Sequence, residues 1–282
     1  MLFGAITLLS AIVSGVFSVC IGAFDSLQWL WILPVAFAGS FLLLLLGVCG
    51  VVLIACAVVD PDKQQEKDSP FYRAMANLLA EAILTVGRVR VETRGLEQTP
   101  KDGRFLLVCN HLHEADPVVL LRYFRKKQLA FVSKRENRDM FVVGKIMPKL
   151  LCPLINREND REALKTILRC IQLLKEDKVS IGIFPEGYIH KDRKFHQFRS
   201  GVFKIAQKAN VPIVVCTIRD THHIVKNFLK GKSTLVQLHL LKVIPAEALQ
   251  GRTTVDIAQE VHDMMAQDLG EEYRPDVIEE SS

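Results

Sequence analysis

Arg104-Phe105-Leu106-Leu107-Val108-Cys109-Asn110-His111-Leu112-His113-Glu114-Ala115-Asp116-Pro117 is the stretch on which the fold turns. The apolar run Arg104–Cys109 predicts a short buried strand. A polar cluster follows at once, and Pro117, at the favoured first helical position, opens a predicted helix over 117–124. In parallel α/β sheets, polar groups just past the end of a strand are where function gathers. His111 and Asp116 are separated by only four residues across this turn. A turn of that length brings the carboxylate to Nδ1 of the imidazole and leaves Nε2 facing a substrate. That is the base and its orienting partner in a hydroxyl-activating dyad. Asp116 also stands where a helix N-cap would stand, and the two roles do not exclude each other.

Outward from this stretch, apolar strands alternate with amphipathic helices. Phe71–Val86 reads as a helix with Phe71, Met75, Leu78, Leu79, Ala82 and Ile83 on one side, stopped by Gly87. Strands are predicted at Val89–Thr93, Leu129–Ser133, Val179–Phe184, Val211–Thr217 and Leu235–Leu241. Asn159 or Asp160 caps a helix to about Glu176, whose buried stripe is expected to be Leu164, Ile167, Leu168, Ile171 and Leu174. Gly201–Ala209 and Thr254–Leu269 are further helices, and Glu271–Ser282 reads as a frayed acidic tail. The alternation predicts an α/β fold with a mixed, largely parallel sheet flanked by helices.

Charge divides the chain sharply. Residues 1–59 hold no Lys, Arg, His or Glu and a single Asp, Asp25; all 36 Lys and Arg and all but one of the 31 Asp and Glu lie beyond them. Met1–Phe24 and Ser26–Val59 are each longer than the roughly 20 helical residues that cross a bilayer. The expectation is a two-helix membrane anchor over 1–59 joined at Asp25–Ser26, with Pro34 as a break, followed by a catalytic domain over 60–282. A cleaved leader would start with Lys or Arg and break after a short apolar core, and neither is present. Two spans, or a hairpin entering one leaflet, put both ends on one side. The Lys- and Arg-rich domain then lies on the cytoplasmic face. The split excludes a wholly soluble protein, a disordered one and a polytopic transporter. The net charge of +5 is too modest to suggest a nucleic-acid partner. Seven cysteines without a Cys-x-x-Cys read as free thiols.

Three further groups bear on chemistry. Phe184-Pro185-Glu186-Gly187 ends another apolar strand, and its Pro and Gly force a turn that presents Glu186 and backbone N–H groups. Leu154-Ile155-Asn156-Arg157 puts an Arg after an apolar stretch, suited to a bidentate phosphate contact. His111-x-His113-x-x-Asp116 has the ligand density of a metallohydrolase, with His190, His196, His222 and His223 downstream. Its spacing misses the usual hydrolase pattern by one residue.

Taken in order, Asn-His-x4-Asp at 110–116, Leu-Ile-Asn-Arg at 154–157, Phe-Pro-Glu-Gly at 184–187 and Val-Pro-Ile at 211–213 resemble one family. They are similar to the glycerolipid acyltransferases, closest to the 1-acylglycerol-3-phosphate (lysophosphatidate) acyltransferases. The resemblance runs from about Phe71 to Ile244, with Ser133–Glu136 and Phe198–Gly201 as minor matches. It implies transfer of a fatty acyl group from acyl-CoA or acyl-ACP to the sn-2 hydroxyl of a lysophospholipid acceptor at a membrane. His111 would be the general base and Asp116 its partner. Arg157 would hold the acceptor phosphate, with Glu186 and Gly187 lining its site. No cofactor or metal is implied. Tyr188-Ile189-His190 replaces the family's Thr-Arg-Ser, so Lys191 or Arg193 is expected to stand in for the missing Arg. His113 and Asn156 also depart from the family's Ser and Asp. The alternatives are another acceptor, glycerol 3-phosphate or a different lysolipid, or a metal-dependent hydrolase built on His111 and His113.

Overall fold

The computed structural model describes residues 2–60, 63, 65–156 and 158–274. The chain divides into two compact units, Met1–Asp62 and Lys63–Ser282.

The first unit is a helical pair, α1 (Leu2–Cys20) and α2 (Trp29–Ala57), joined through a short 3₁₀ turn at Ala23–Asp25. Both are long and apolar enough to cross a membrane. Ser10, Ser14 and Ser18 recur every fourth residue and are buried, so one small-residue face of α1 packs inside the pair. The Ser40 hydroxyl donates to the Ser10 carbonyl at 3.4 Å. Pro34 does not break α2 as the sequence suggested; it lies within the helix. It is the sixth helical residue, where its missing N–H removes one i→i−4 bond and the helix continues past it.

The second unit opens with α3 (Pro70–Val86) and β1 (Val89–Arg94), then β2 (Leu106–Cys109), α4 (Asp116–Tyr123), β3 (Leu129–Phe131) and β4 (Ser133–Lys134). There follow α5 (Val143–Lys149), β5 (Leu154–Ile155), α6 (Asp160–Lys175), β6 (Ser180–Ile183), α7 (Lys204–Ala209) and β7 (Ile213–Arg219). The unit closes with α8 (Ile224–Leu229), β8 (Thr234–Ile244) and α9 (Thr254–Leu269). Six strands form one sheet in the order β1-β8-β7-β2-β6-β3. Every pairing is parallel except β7 with β8. The expected mixed, largely parallel sheet is present. β4 and β5 form a separate small parallel pair.

Period-two alternation splits the core between the two faces of the sheet. Leu106 and Val108 pack with Ile181, Phe203, Ile257, Val261 and Met265. Phe105, Leu107 and Cys109 face the other way, onto Leu84, Val119, Leu120 and Ile218. The helix ends follow local chemistry. The Asn159 side chain accepts the Glu162 N–H at 3.1 Å to start α6. Thr253 accepts the Asp256 N–H at 3.1 Å to start α9.

Two expectations need correction. The buried face of α6 is Thr166, Cys170, Leu173 and Leu174, whereas Leu164 and Leu168 are more than half exposed. Leu174 of the expected stripe is buried and Ile167 and Ile171 pack against the core, so the buried face is only rotated from the expected one, toward Thr166, whose hydroxyl donates to the Leu154 carbonyl at 2.7 Å. At the other end, Tyr273 is buried inside the supposed tail, with its carbonyl accepting the Phe195 N–H at 2.7 Å. Residues 275–282 lie outside the described region.

Candidate active site

Three parallel strands deliver the site. β2 leads into Asn110–His111, β6 into Phe184–Gly187, and β7 into Asp220–His223. β2 lies between β6 and β7, so the three exits are adjacent at one edge of the sheet. Asn110 ties two of them together. Its side chain donates to the Ile218 carbonyl and accepts the Ile218 N–H, both at 2.8 Å, in a fully buried position.

His111 Nδ1 lies 2.9 Å from Asp116 Oδ2. A carboxylate only accepts, so the proton sits on Nδ1 and Nε2 keeps its lone pair. Asp116 is fully buried. Its charge is met by the Leu112 N–H at 2.7 Å, the His113 N–H at 2.9 Å and the Thr221 hydroxyl. These bonds settle the question of the cap. Asp116 is the first residue of α4, Ala115 holds the N-cap position, and no side chain caps the helix. The carboxylate turns back onto its own loop because the Leu112 and His113 N–H groups and the imidazole converge there.

Stacking fixes the imidazole plane. Phe184 packs on His111 with ring centroids 4.0 Å apart and planes 14° from parallel, and Phe131 stacks behind Phe184 at 5.8 Å. Gly182 makes room for this arrangement, since a Cβ there would come within 2.5 Å of the Phe131 ring. The exposed side chain area of His111 is only 14%.

Glu186 is 2% exposed and couples the second turn to the first. Its Oε1 accepts the His111 N–H at 2.8 Å and its Oε2 accepts the His196 N–H at 3.1 Å. Burial, opposed by these two N–H groups and reinforced by the Asp116 and Asp192 charges, pushes its carboxyl up to about 8. Gly187 follows at φ 91°, a conformation suited to glycine, and a Cβ there would meet Arg199 Nε at 2.9 Å.

Arg193 reaches the same region, its Nη1 donating to the Leu112 carbonyl at 2.7 Å. Lys191 is exposed on the loop between them. Burial, then the charges of His223, Arg193 and His113 against that of Asp220, hold the His222 imidazole below its ordinary value. The structure thus brings His111, Asp116, Glu186, Gly187 and Arg193 together, while Arg157 lies outside the described residues. Thr221 is the residue that sequence reading missed. It sits more than a hundred positions from Asp116 and carries no motif.

The metallohydrolase pattern is not supported by these contacts. His111 Nδ1 is engaged by Asp116, and His113 Nδ1 accepts the Ala115 N–H at 3.1 Å. Among the described residues, the three side chains that converge with metal-ligating atoms are instead His190, Asp192 and His196.

Comparison with known proteins agrees with this geometry. Residues 90–219 match the family model described as Acyltransferase, which spans both the dyad and the Phe184–Gly187 turn. A probable 1-acyl-sn-glycerol-3-phosphate acyltransferase of Mycoplasma pneumoniae is 33% identical over 144 residues, 50% of this chain and 53% of that protein. The chloroplastic 1-acyl-sn-glycerol-3-phosphate acyltransferase of Arabidopsis thaliana is 25% identical over 241 residues, 82% of this chain and 64% of that protein. The chain therefore spans about half to two thirds of the length of these relatives. The crystal structure of the 1-acyl-sn-glycerophosphate acyltransferase of Thermotoga maritima superposes with a TM-score of 0.57 at 22% identity, over 78% of this chain and 86% of that one, which fixes the fold. Over residues 90–219 the chain is thus similar to the acyltransferase family, and it shares the fold of the Thermotoga maritima protein.

Proposed function

We propose that this protein is a membrane-bound O-acyltransferase that moves a fatty acyl group from acyl-CoA or acyl-ACP to the sn-2 hydroxyl of 1-acylglycerol 3-phosphate, giving phosphatidic acid. The observation that carries the reading is the dyad at the strand exits: His111 Nδ1 held by a buried, fully hydrogen-bonded Asp116. An alcohol has a pKa far above 7 and needs a base as it attacks a thioester carbonyl. An imidazole with an ordinary value near 6.5 suits that task, and general-base help contributes about 10²–10⁴-fold.

In this reading, His111 Nε2 takes the hydroxyl proton while the acceptor oxygen attacks the carbonyl directly. Asp116 holds the tautomer and stabilises the imidazolium. Collapse of the tetrahedral intermediate expels a thiolate, which needs little acid assistance. Glu186 and Gly187 line the acceptor side, and Arg157, Lys191 and Arg193 supply its phosphate contacts. The two apolar helices keep the unit at the bilayer with the basic domain on the cytoplasmic face.

The test is a panel of lysophosphatidate, glycerol 3-phosphate and other lysolipids against acyl-CoA and acyl-ACP. Lysophosphatidate is expected to give the highest kcat/KM. His111→Ala should leave no more than a few per cent of the rate with its melting midpoint unchanged. In the same assay, Arg157→Ala should raise acceptor KM more than tenfold and leave donor KM nearly constant, with loss of a charged hydrogen-bonded partner costing about 2–5 kcal/mol. A His111→Ala protein with near wild-type turnover would overturn the mechanism.

A further inference from the structure

His190, Asp192 and His196 follow the Phe184–Gly187 turn on one loop, outside the dyad. Each offers one ligand atom, and the three atoms lie within 4.8 Å of one another. His196 Nε2 is 2.8 Å from Asp192 Oδ2. The His190 and His196 rings lie face to face, with centroids 3.5 Å apart and planes 11° from parallel. Among the described residues, the His190 ring makes ring contacts with Tyr188 and His196 and no hydrogen bond. The acyl-transfer step uses none of these three side chains. Two imidazoles pressed together beside one carboxylate hold more nitrogen lone pairs than their hydrogen bonds use.

We propose that His190, Asp192 and His196 form a binding site for one divalent transition-metal ion of the Zn²⁺ class. Two imidazoles and a carboxylate suit Zn²⁺, Co²⁺ or Mn²⁺, whereas Mg²⁺ and Ca²⁺ prefer all-oxygen sets. Metal–ligand distances of about 2.0–2.2 Å put donor atoms roughly 3.3–3.5 Å apart in a tetrahedral site. The His196–Asp192 contact is a hydrogen bond at 2.8 Å in the free protein; metal binding replaces it, the Nε2 proton passing through solvent to Nδ1 while the two atoms open to that span. The remaining closure comes from turning the two rings out of their stack, a rotation about side-chain bonds of partly exposed residues. Three protein ligands leave a fourth position for water or another oxygen.

The ion would act as a clamp and not as the chemical centre. The His196 N–H donates to Glu186, which in turn accepts the His111 N–H. Tying His190 to His196 therefore fastens the loop that holds Glu186 in place.

The experiment uses the full chain in detergent, with any affinity tag removed and metal stripped by chelator, titrated with Co²⁺. One Co²⁺ per chain is expected, with visible ligand-field absorption that added Zn²⁺ abolishes and excess Mg²⁺ leaves unchanged. His190→Ala and Asp192→Asn should each weaken Co²⁺ binding at least tenfold, while His113→Ala keeps it. X-ray absorption of the Zn²⁺-loaded wild-type protein should show two imidazole ligands, a readout that does not depend on any variant folding. The site is refuted by no Co²⁺ bound at about 100 μM free ion, by undiminished binding in both loop variants, by loss of binding in His113→Ala, or by a sulfur-containing ligand shell.

Discussion

At the scale of single residues, Thr221 and Glu186 set the environment of the dyad. Thr221 supplies the hydroxyl that meets the second oxygen of Asp116. Thr221→Val removes that donor at nearly constant volume, and a hydrogen bond to a charged group contributes about 1.5–3 kcal/mol. We expect kcat to fall about ten- to a hundredfold with acceptor KM little changed, and Thr221→Ser to restore most of it; steady-state kinetics measure both. Glu186 makes a prediction about pH. Its folded-state value is raised to about 8, chiefly by burial. Between the ordinary carboxyl range and pH 8 the folded chain holds a proton that the unfolded chain releases. The stabilising contribution is therefore complete below that ordinary range and is lost as pH rises through about 8. Melting midpoints of wild type should fall across this window, relative to Glu186→Gln measured in parallel. A constant difference between the two from pH 5 to 9 would show that Glu186 does not titrate there.

At the scale of elements, the site depends on how β2, β6 and β7 are held in step. Parallel pairing sets their spacing, but Asn110 locks the exit of β2 to the end of β7. Asn110→Ala leaves a buried N–H and a buried carbonyl of Ile218 unpaired. Each such group costs about 1–3 kcal/mol. The melting midpoint should drop by several degrees, and acyl transfer should fall further than global stability accounts for, because His111 is the next residue. Activity measured well below the variant's melting midpoint separates the two effects. The stack Phe131–Phe184–His111 works at the same scale, since it depends on β3 and β6 being neighbours and on Gly182 of β6 leaving room for the Phe131 ring opposite it.

At the scale of the whole molecule, an uncharged helical pair is joined to a charged α/β unit. With both helices spanning, the two ends of the apolar pair lie on one side of the membrane, and in the orientation proposed above that side is the cytoplasm. Epitope tags at the two ends should both resist added protease in intact cells and both be cleaved in inverted vesicles. A tag cleaved at only one end in intact cells would remove the two-span arrangement.

Much of this was legible along the chain. The near absence of charge through residue 59, with Asp25 alone in the joining turn, marks the apolar pair, because bilayer and interior alike exclude ions. The alternation of strands and helices marks the sheet, and His111 and Asp116 sit close enough in sequence for one turn to join them. What the sequence left open depends on contacts between distant segments. The antiparallel turn of β8 against β7 and the small β4–β5 pair are choices of partner that local pattern does not encode. The face of α6 is rotated toward Thr166, Cys170 and Leu173, a shift the leucine spacing did not show, while Ile167, Ile171 and Leu174 of the expected stripe still pack on the core. Thr221 reached Asp116, and Glu186 reached the His111 N–H, because the exits of β7 and β6 flank that of β2. Hydrophobic period and local motif are properties of neighbours in sequence, so the chain states them outright. The partners of a buried polar group are fixed only when the packed sheet brings together residues a hundred positions apart.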